Sequence, residues 1–148
     1  MSRLLSLLSA LTLAFLFAAP VSAQQAPEHK LVIQVSSADE GAMTVALGNA
    51  MNAKKYYDSK GEKFIVEIVT YGPGITMLRS DTSPVKARIV EARASIPDIT
   101  LSMCANSKAG TEAREGKEII PLPGVQIVPA GIVRVMELQE KGYSYARP

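Results

Sequence analysis

The chain has 148 residues, of which 47% are hydrophobic and 20% are charged. That mixture is typical of a globular domain and excludes a disordered or collagen-like chain, and the length suits one domain rather than two. The net charge of +2 excludes nucleic-acid binding driven mainly by electrostatics. The single cysteine, Cys104, excludes a disulfide within the chain and a structural zinc site with two or more cysteines.

The first 23 residues have the three parts of an export signal. Arg3 supplies positive charge, residues 4–19 form an uncharged and mainly apolar stretch, and residues 21–23 (Val-Ser-Ala) provide small side chains before a cleavage point. The apolar stretch is shorter than the roughly 20 residues that a helix needs to span a bilayer. We therefore predict a signal peptide cleaved after Ala23, and a periplasmic or secreted domain over residues 24–148 that does not enter the membrane.

Strands and helices are predicted to alternate along the rest of the chain. Short runs rich in β-branched residues indicate buried strands, and apolar residues three and four apart indicate helices. The predicted strands are 30–36, 64–70, 99–103, 125–128 and a short 143–145, and the predicted helices are 40–59, one beginning at Pro84, 105–115 and 131–141. This order favours a single α/β domain with a mainly parallel sheet of about five strands and helices on both faces.

The methionines are interpreted as core residues. Met43, Met51 and Met103 fall on predicted buried faces, and their spacing is that of core positions rather than of Cu(I) ligands. In the last predicted helix, the residues expected to face inward are Ile132, Val135, Met136 and Leu138. No motif for a metal or an organic cofactor is present, so we predict neither.

Ligands of parallel α/β sheets bind outside the carboxyl ends of the strands, near a topological switch point. Polar and small residues follow four of the predicted strands here. Glycine amides at positions 72 and 74 suit anion binding, although the glycine–proline sequence is also a signal for a simple tight turn. The residues predicted to line a ligand crevice are Ser36, Gly72, Gly74 and Ser107.

Cys104 is the candidate reactive residue. It follows the third predicted strand and precedes a predicted helix, whose first amides can stabilise a thiolate. Alternatively, Cys104 is a packing residue, because free cysteines are often buried. The one histidine, His29, precedes the first predicted strand and lies about seven residues, or roughly 23 Å, from the strand ends. We therefore expect His29 to be exposed and not to pair with Cys104.

Three segments resemble the DsrE/DsrF-like family: VEIVTYGPGI at 66–75, ITLSMCANS at 99–107, and VQIVPAGIVRVMELQEKGYSYARP at 125–148. The pair Asn49 and Asn52, in the first predicted helix, also resembles a feature of that family. The resemblance covers residues 24–148 and implies a flavodoxin-like fold that often assembles as a homo-oligomer, a trimer or hexamer. In the sulfur-relay branch one cysteine carries sulfur as a persulfide. Cys104 occupies that position, and the resemblance implies that Asn106 donates a hydrogen bond beside the sulfur.

The sequence thus leads to two hypotheses. In the first, an exported DsrE-like protein uses Cys104 as a single-cysteine sulfur carrier or thiol-redox residue, and exchanges sulfur with a donor or acceptor protein. In the second, the chain is a non-catalytic module that binds a small ligand or serves in an oligomer, and Cys104 merely packs. The sequence does not decide whether the protein is an enzyme.

Overall fold

A computed structural model describes residues 27–148, and the predicted export signal lies outside that range. Strands and helices alternate as the sequence predicts, with one additional 3-10 helix. The elements are β1 (Glu28–Val35), α1 (Glu40–Ser59), β2 (Lys63–Thr70), the 3-10 helix (Gly72–Leu78), α2 (Lys86–Ser95), β3 (Thr100–Cys104), α3 (Ala105–Glu115), β4 (Gln126–Val128), α4 (Gly131–Glu140) and β5 (Ser144–Ala146).

The five strands form one parallel sheet in the order β4-β3-β2-β1-β5. The crossovers from β1 through β4 all move in one direction, and the last crossover returns to the far side of β1. Right-handed crossovers that move in opposite directions place their helices on opposite faces of the sheet. The fold is therefore an α/β domain of the flavodoxin-like kind, with helices on both faces, as predicted.

The larger core lies on the face of the sheet covered by α1, α2 and the 3-10 helix, which we call the α1 face. Its buried side chains come from every second residue of the strands, because alternate side chains point to opposite faces. Representative members with essentially no exposed surface are Ile33, Leu47, Ile68, Met77, Ile89 and Leu101.

The opposite face, which we call the α4 face, is covered by α4 and has a smaller apolar core. Val32 and Val69 of the strands pack there against Val135 and Leu138 of the helix, and Tyr143 packs beside them. Ile132 and Met136 were predicted to face inward, but they are about half exposed. The inward position is taken instead by Arg134, which reaches the buried carboxylate of Glu67.

One further prediction needs correction. His29 is not an exposed leader residue, because it lies within β1 and its ring stacks on Tyr57 at 3.8 Å. Its Nε2 atom also lies 2.8 Å from Glu62 Oε2. Its expected separation from Cys104 is correct, since the two residues lie at opposite ends of the parallel sheet.

Within residues 27–148, no helix has the length and apolar character needed to cross a membrane.

Candidate functional site

A crevice at the carboxyl edge of the sheet follows directly from the topology. The chain leaves β3 toward α3, which contacts the 3-10 helix on the α1 face, whereas it leaves β4 toward α4 on the α4 face. Two adjacent strands whose following helices lie on opposite faces define a topological switch point, and ligands of open α/β sheets bind there. The amino ends of α3 and α4 therefore flank this point.

Cys104 lies at this switch point. It is the last residue of β3 and the N-cap of α3, and its Sγ accepts a hydrogen bond from the Ser107 amide at 3.4 Å. The residue is 4% exposed. Burial raises the pKa of the Cys104 thiol, but the nearby Ser107 hydroxyl and the amides of Ser107, Gly131 and Asn106 outweigh it, so the pKa is lowered overall. Of these groups, the Ser107 amide is the one whose geometry is that of a hydrogen bond to the sulfur. The sulfur is surrounded by donors suited to a thiolate.

Gly131 connects the second helix to the sulfur. It is the first residue of α4, and its amide is among the groups that lower the pKa of Cys104. A Cβ atom at Gly131 would lie 2.7 Å from Tyr71 Cβ, so only glycine allows α4 to begin this close to the end of β2. The amino ends of two helices thus direct positive partial charge toward one sulfur atom.

Ser107 joins the sulfur to the end of β2. Its hydroxyl oxygen accepts a hydrogen bond from the Gly72 amide at 2.8 Å, and the same hydroxyl is near enough to Cys104 to lower the pKa of the thiol. Gly72 has a φ of 54°, a left-handed conformation that favours glycine. The predicted residues Gly72, Ser107 and Cys104 therefore form one connected group.

The remaining predicted residues have different surroundings. The Ser36 carbonyl oxygen lies 3.7 Å from where a Cβ at Gly72 would be, so Ser36 borders the group through its backbone. A Cβ at Gly74 would lie 2.1 Å from the Val35 carbonyl oxygen, which gives Gly74 a packing role. Asn106 is exposed. Its backbone N–H, and not its side-chain amide, contributes to the lowered pKa of Cys104.

A groove of about 250 Å³ lies between the end of β4 and α4 on the α4 face, and Cys104 is not one of the residues that line it. Its floor includes Val128, which is paired in register with Cys104 and therefore points to the same face of the sheet. The residues that line the groove are Val128, Pro129, Ala130, Val133, Arg134 and Glu137. The lining is mainly apolar and includes two charged residues of α4, Arg134 and Glu137.

A buried polar cluster adjoins the groove under α4. Glu67 is 3% exposed and accepts two hydrogen bonds from Arg134, at 2.8 and 2.7 Å, and one from the Ser102 hydroxyl at 2.7 Å. Arg134 also approaches Glu137 at 3.5 Å. Its guanidinium is thus shared between two carboxylates and offers no uncompensated positive charge to an anionic ligand in the groove.

Sequence reasoning missed the contributions of Gly131 and of the Glu67 cluster. A glycine at the start of a predicted helix, directly after a strand end, was the available signal for Gly131. For the cluster, the signal was a glutamate in the middle of an otherwise apolar strand, because such a carboxylate needs a partner when it is buried. The identity of that partner, 67 positions away, is visible only in the structure.

Comparisons with known proteins identify the fold. No protein-family model matches the chain, and no curated protein is significantly similar to it. Among solved structures, the chain is similar to the protein of unknown function MTH1491 from Methanobacterium thermoautotrophicum, with a TM-score of 0.66 and 22% sequence identity. The match covers 81% of this chain and 99% of that one. At this identity the likeness establishes a shared fold alone.

Proposed function

We propose that this protein is an exported, DsrE-like thiol protein in which Cys104 carries a sulfane sulfur. The observation that supports this function best is the position of Cys104 at the switch point, between the amino ends of α3 and α4, with donors from Ser107 and Gly131. A carrier must hold a nucleophilic thiolate at neutral pH and must then stabilise a persulfide anion. Amide and hydroxyl donors around one sulfur serve both needs.

The transfer step requires no second cysteine. The Cys104 thiolate attacks the terminal sulfur of a donor persulfide, R–S–SH, and forms a new S–S bond while the donor S–S bond breaks. The products are the Cys104 persulfide and the donor thiolate R–S⁻, so no external oxidant or reductant is consumed. The reverse reaction with an acceptor thiolate unloads the protein. In the loaded state the donors from Ser107 and Gly131 stabilise negative charge on the persulfide.

The groove between β4 and α4, whose residue Val128 is paired with Cys104, supports a partner that presents its sulfur on an apolar segment. Ile132, Val133 and Met136 of α4 are about half exposed next to it, and Arg134 is already paired. Apolar surface without a free cation suits a protein thiol better than a small sulfur oxyanion. We therefore propose a donor or acceptor protein, and assembly of the chain itself as a homo-oligomer.

Intact-mass measurement before and after polysulfide treatment tests the carrier function. The expected result is a mass increase of one or more sulfur atoms that reductant reverses, and loss of this increase in Cys104→Ser. Ser102→Ala is a matched control, because it removes a buried hydroxyl from the same strand without touching the sulfur donors. Equal loading of wild type and Cys104→Ser would refute the proposal.

The 4% exposure of Cys104 favours a second candidate, a small-ligand-binding module in which the cysteine packs. Native alkylation with iodoacetamide separates the two. A rapid reaction in the folded protein supports the carrier, and a reaction that begins only on unfolding supports the module. Export is tested by N-terminal sequencing of the protein from the periplasm or medium, where a mature chain beginning at Gln24 is expected.

A further inference from the structure

The side of α4 that faces the sheet is held in two different ways along its length. Gly131, Arg134, Val135 and Leu138 follow one another at spacings of three, one and three residues, so they share one side of the helix. Val135 and Leu138 are 2% and 1% exposed, and they anchor the middle and the end of the helix in the small apolar core. The beginning of the helix is held instead by Arg134, which donates two hydrogen bonds to Glu67.

The contact between Arg134 and Glu67 is directional, unlike the apolar contacts of the same helix. Its two N–H···O bonds, at 2.8 and 2.7 Å, fix both the distance and the rotation of the guanidinium group. Glu67 is 3% exposed and lies in the middle of β2, so its carboxylate is a fixed point of the sheet. Gly131 lies only about 4.5 Å from Arg134 along the helix axis. The ion pair therefore determines where the first turn of α4 lies.

The first turn of α4 has amide groups available for the switch point, because its N-cap residue has no side-chain acceptor. That residue is Ala130, and it makes no capping hydrogen bond through its side chain. By contrast, Asp39 caps α1 and Cys104 itself caps α3. The Gly131 amide is among the groups that lower the pKa of Cys104, and the effect of a helix end on a charge falls off within one turn. The position of this first turn therefore matters for the sulfur.

We propose that Glu67 and Arg134 are positioning residues, whose ion pair keeps the amino end of α4 directed at Cys104. This role rests on the proposed function and deepens it, because it assigns part of the reactivity of the sulfur to two residues that do not touch it. A buried ion pair is often no more stabilising than well-packed apolar residues of similar volume. Apolar contacts are not directional, so they would hold α4 on the sheet without fixing its first turn. The ion pair supplies that missing constraint.

The ultraviolet absorbance of the thiolate, measured against pH with Cys104→Ser as the blank, gives the ionisation midpoint of the sulfur without any reaction at it. The variant to compare with wild type is Glu67→Met with Arg134→Met. It removes one negative and one positive charge together, while Glu137 of α4 and Lys108 in the first turn of α3 stay in place. The midpoint should rise by about half a pH unit, which is about a threefold loss of thiolate below the midpoint.

Leu138→Ala is the matched control, because it removes a buried side chain from the same side of α4 at the end far from Cys104. It should destabilise the protein at least as much as the double variant and leave the midpoint at the wild-type value. All three proteins are compared where urea titration shows them fully folded. An unchanged midpoint in the double variant, or an equal rise in Leu138→Ala, would overturn the positioning role. The carrier function fails separately, if wild type takes up no sulfur from polysulfide.

Discussion

The two faces of the sheet are stabilised in different ways. The α1 face buries a continuous apolar core under α1, α2 and the 3-10 helix, with side chains that are almost wholly excluded from solvent. The α4 face has a cluster of only four buried apolar residues, and it also holds the ion pair of Glu67 with Arg134. The sulfur of Cys104 lies on this second face, as its register with Val128 indicates. Stability is concentrated on one face, and polar chemistry on the other.

This division explains why the candidate site can be polar without unfolding the domain. Burying donors and carboxylates costs free energy unless each finds a partner, so such groups are tolerated where another region supplies the apolar burial. The α1 face supplies it here. The four predictions that follow test this contrast by changing one face at a time.

The largest effect is expected in the apolar core of the α1 face. Leu47→Ala should lower the free energy of unfolding by about 3 kcal/mol, because it removes a fully buried side chain and leaves a cavity. Val135→Ala on the α4 face should cost only about 1.5 kcal/mol, since it removes less apolar surface. Urea titration measures both values. Equal costs would show that the two faces contribute alike.

Breaking the ion pair under α4 should come next. Arg134→Met leaves the Glu67 carboxylate buried with only Ser102 as a partner, and we expect a loss of about 2 to 3 kcal/mol. The double variant Glu67→Met with Arg134→Met should recover most of this loss, because no buried charge is then left unpaired. If Arg134→Met is as stable as wild type, the ion pair of Glu67 with Arg134 contributes nothing to the free energy of unfolding.

A smaller effect on stability but a clear effect on reactivity is expected from Ser107→Ala. The pKa of Cys104 is lowered in the folded protein, so the thiolate persists at a lower pH than in an ordinary thiol. Removing the Ser107 hydroxyl should raise the midpoint of the alkylation rate against pH and slow alkylation several-fold at neutral pH. Ser102→Ala should leave the midpoint unchanged. A midpoint unaffected by Ser107→Ala would exclude the hydroxyl as a donor.

The smallest effect is expected at the rim of the α1 face. Arg79 pairs with Asp81 and Glu115 and holds the pKa of both carboxyls below their ordinary range. Their contribution to stability is therefore complete above the ordinary carboxyl pKa of about 4 and is lost as the pH falls through the folded values. Asp81→Asn should lower the free energy of unfolding by under about 1 kcal/mol at neutral pH and should leave it unchanged in strong acid.

The order and type of the elements could be predicted from the sequence because each depends on local spacing. Helix α1 was predicted with its observed bounds, and the strand ends were placed closely enough to bring Cys104, Ser107 and Gly72 to one edge. The inner face of α4 could not be predicted, since apolar spacing favoured Ile132 and Met136. A distant carboxylate, Glu67, turned Arg134 inward instead. Long-range polar pairing of this kind leaves no periodic signal in the sequence.

The lengths of the two edge strands have a consequence for aggregation. Both β4 and β5 have three residues, whereas β1 and β2 in the middle of the sheet have eight. An edge strand offers unpaired backbone groups to any other chain, and a very short edge limits how many hydrogen bonds such a chain can form. The sheet is thus a poor template for strand addition, which protects the folded protein from growth into fibres at either edge.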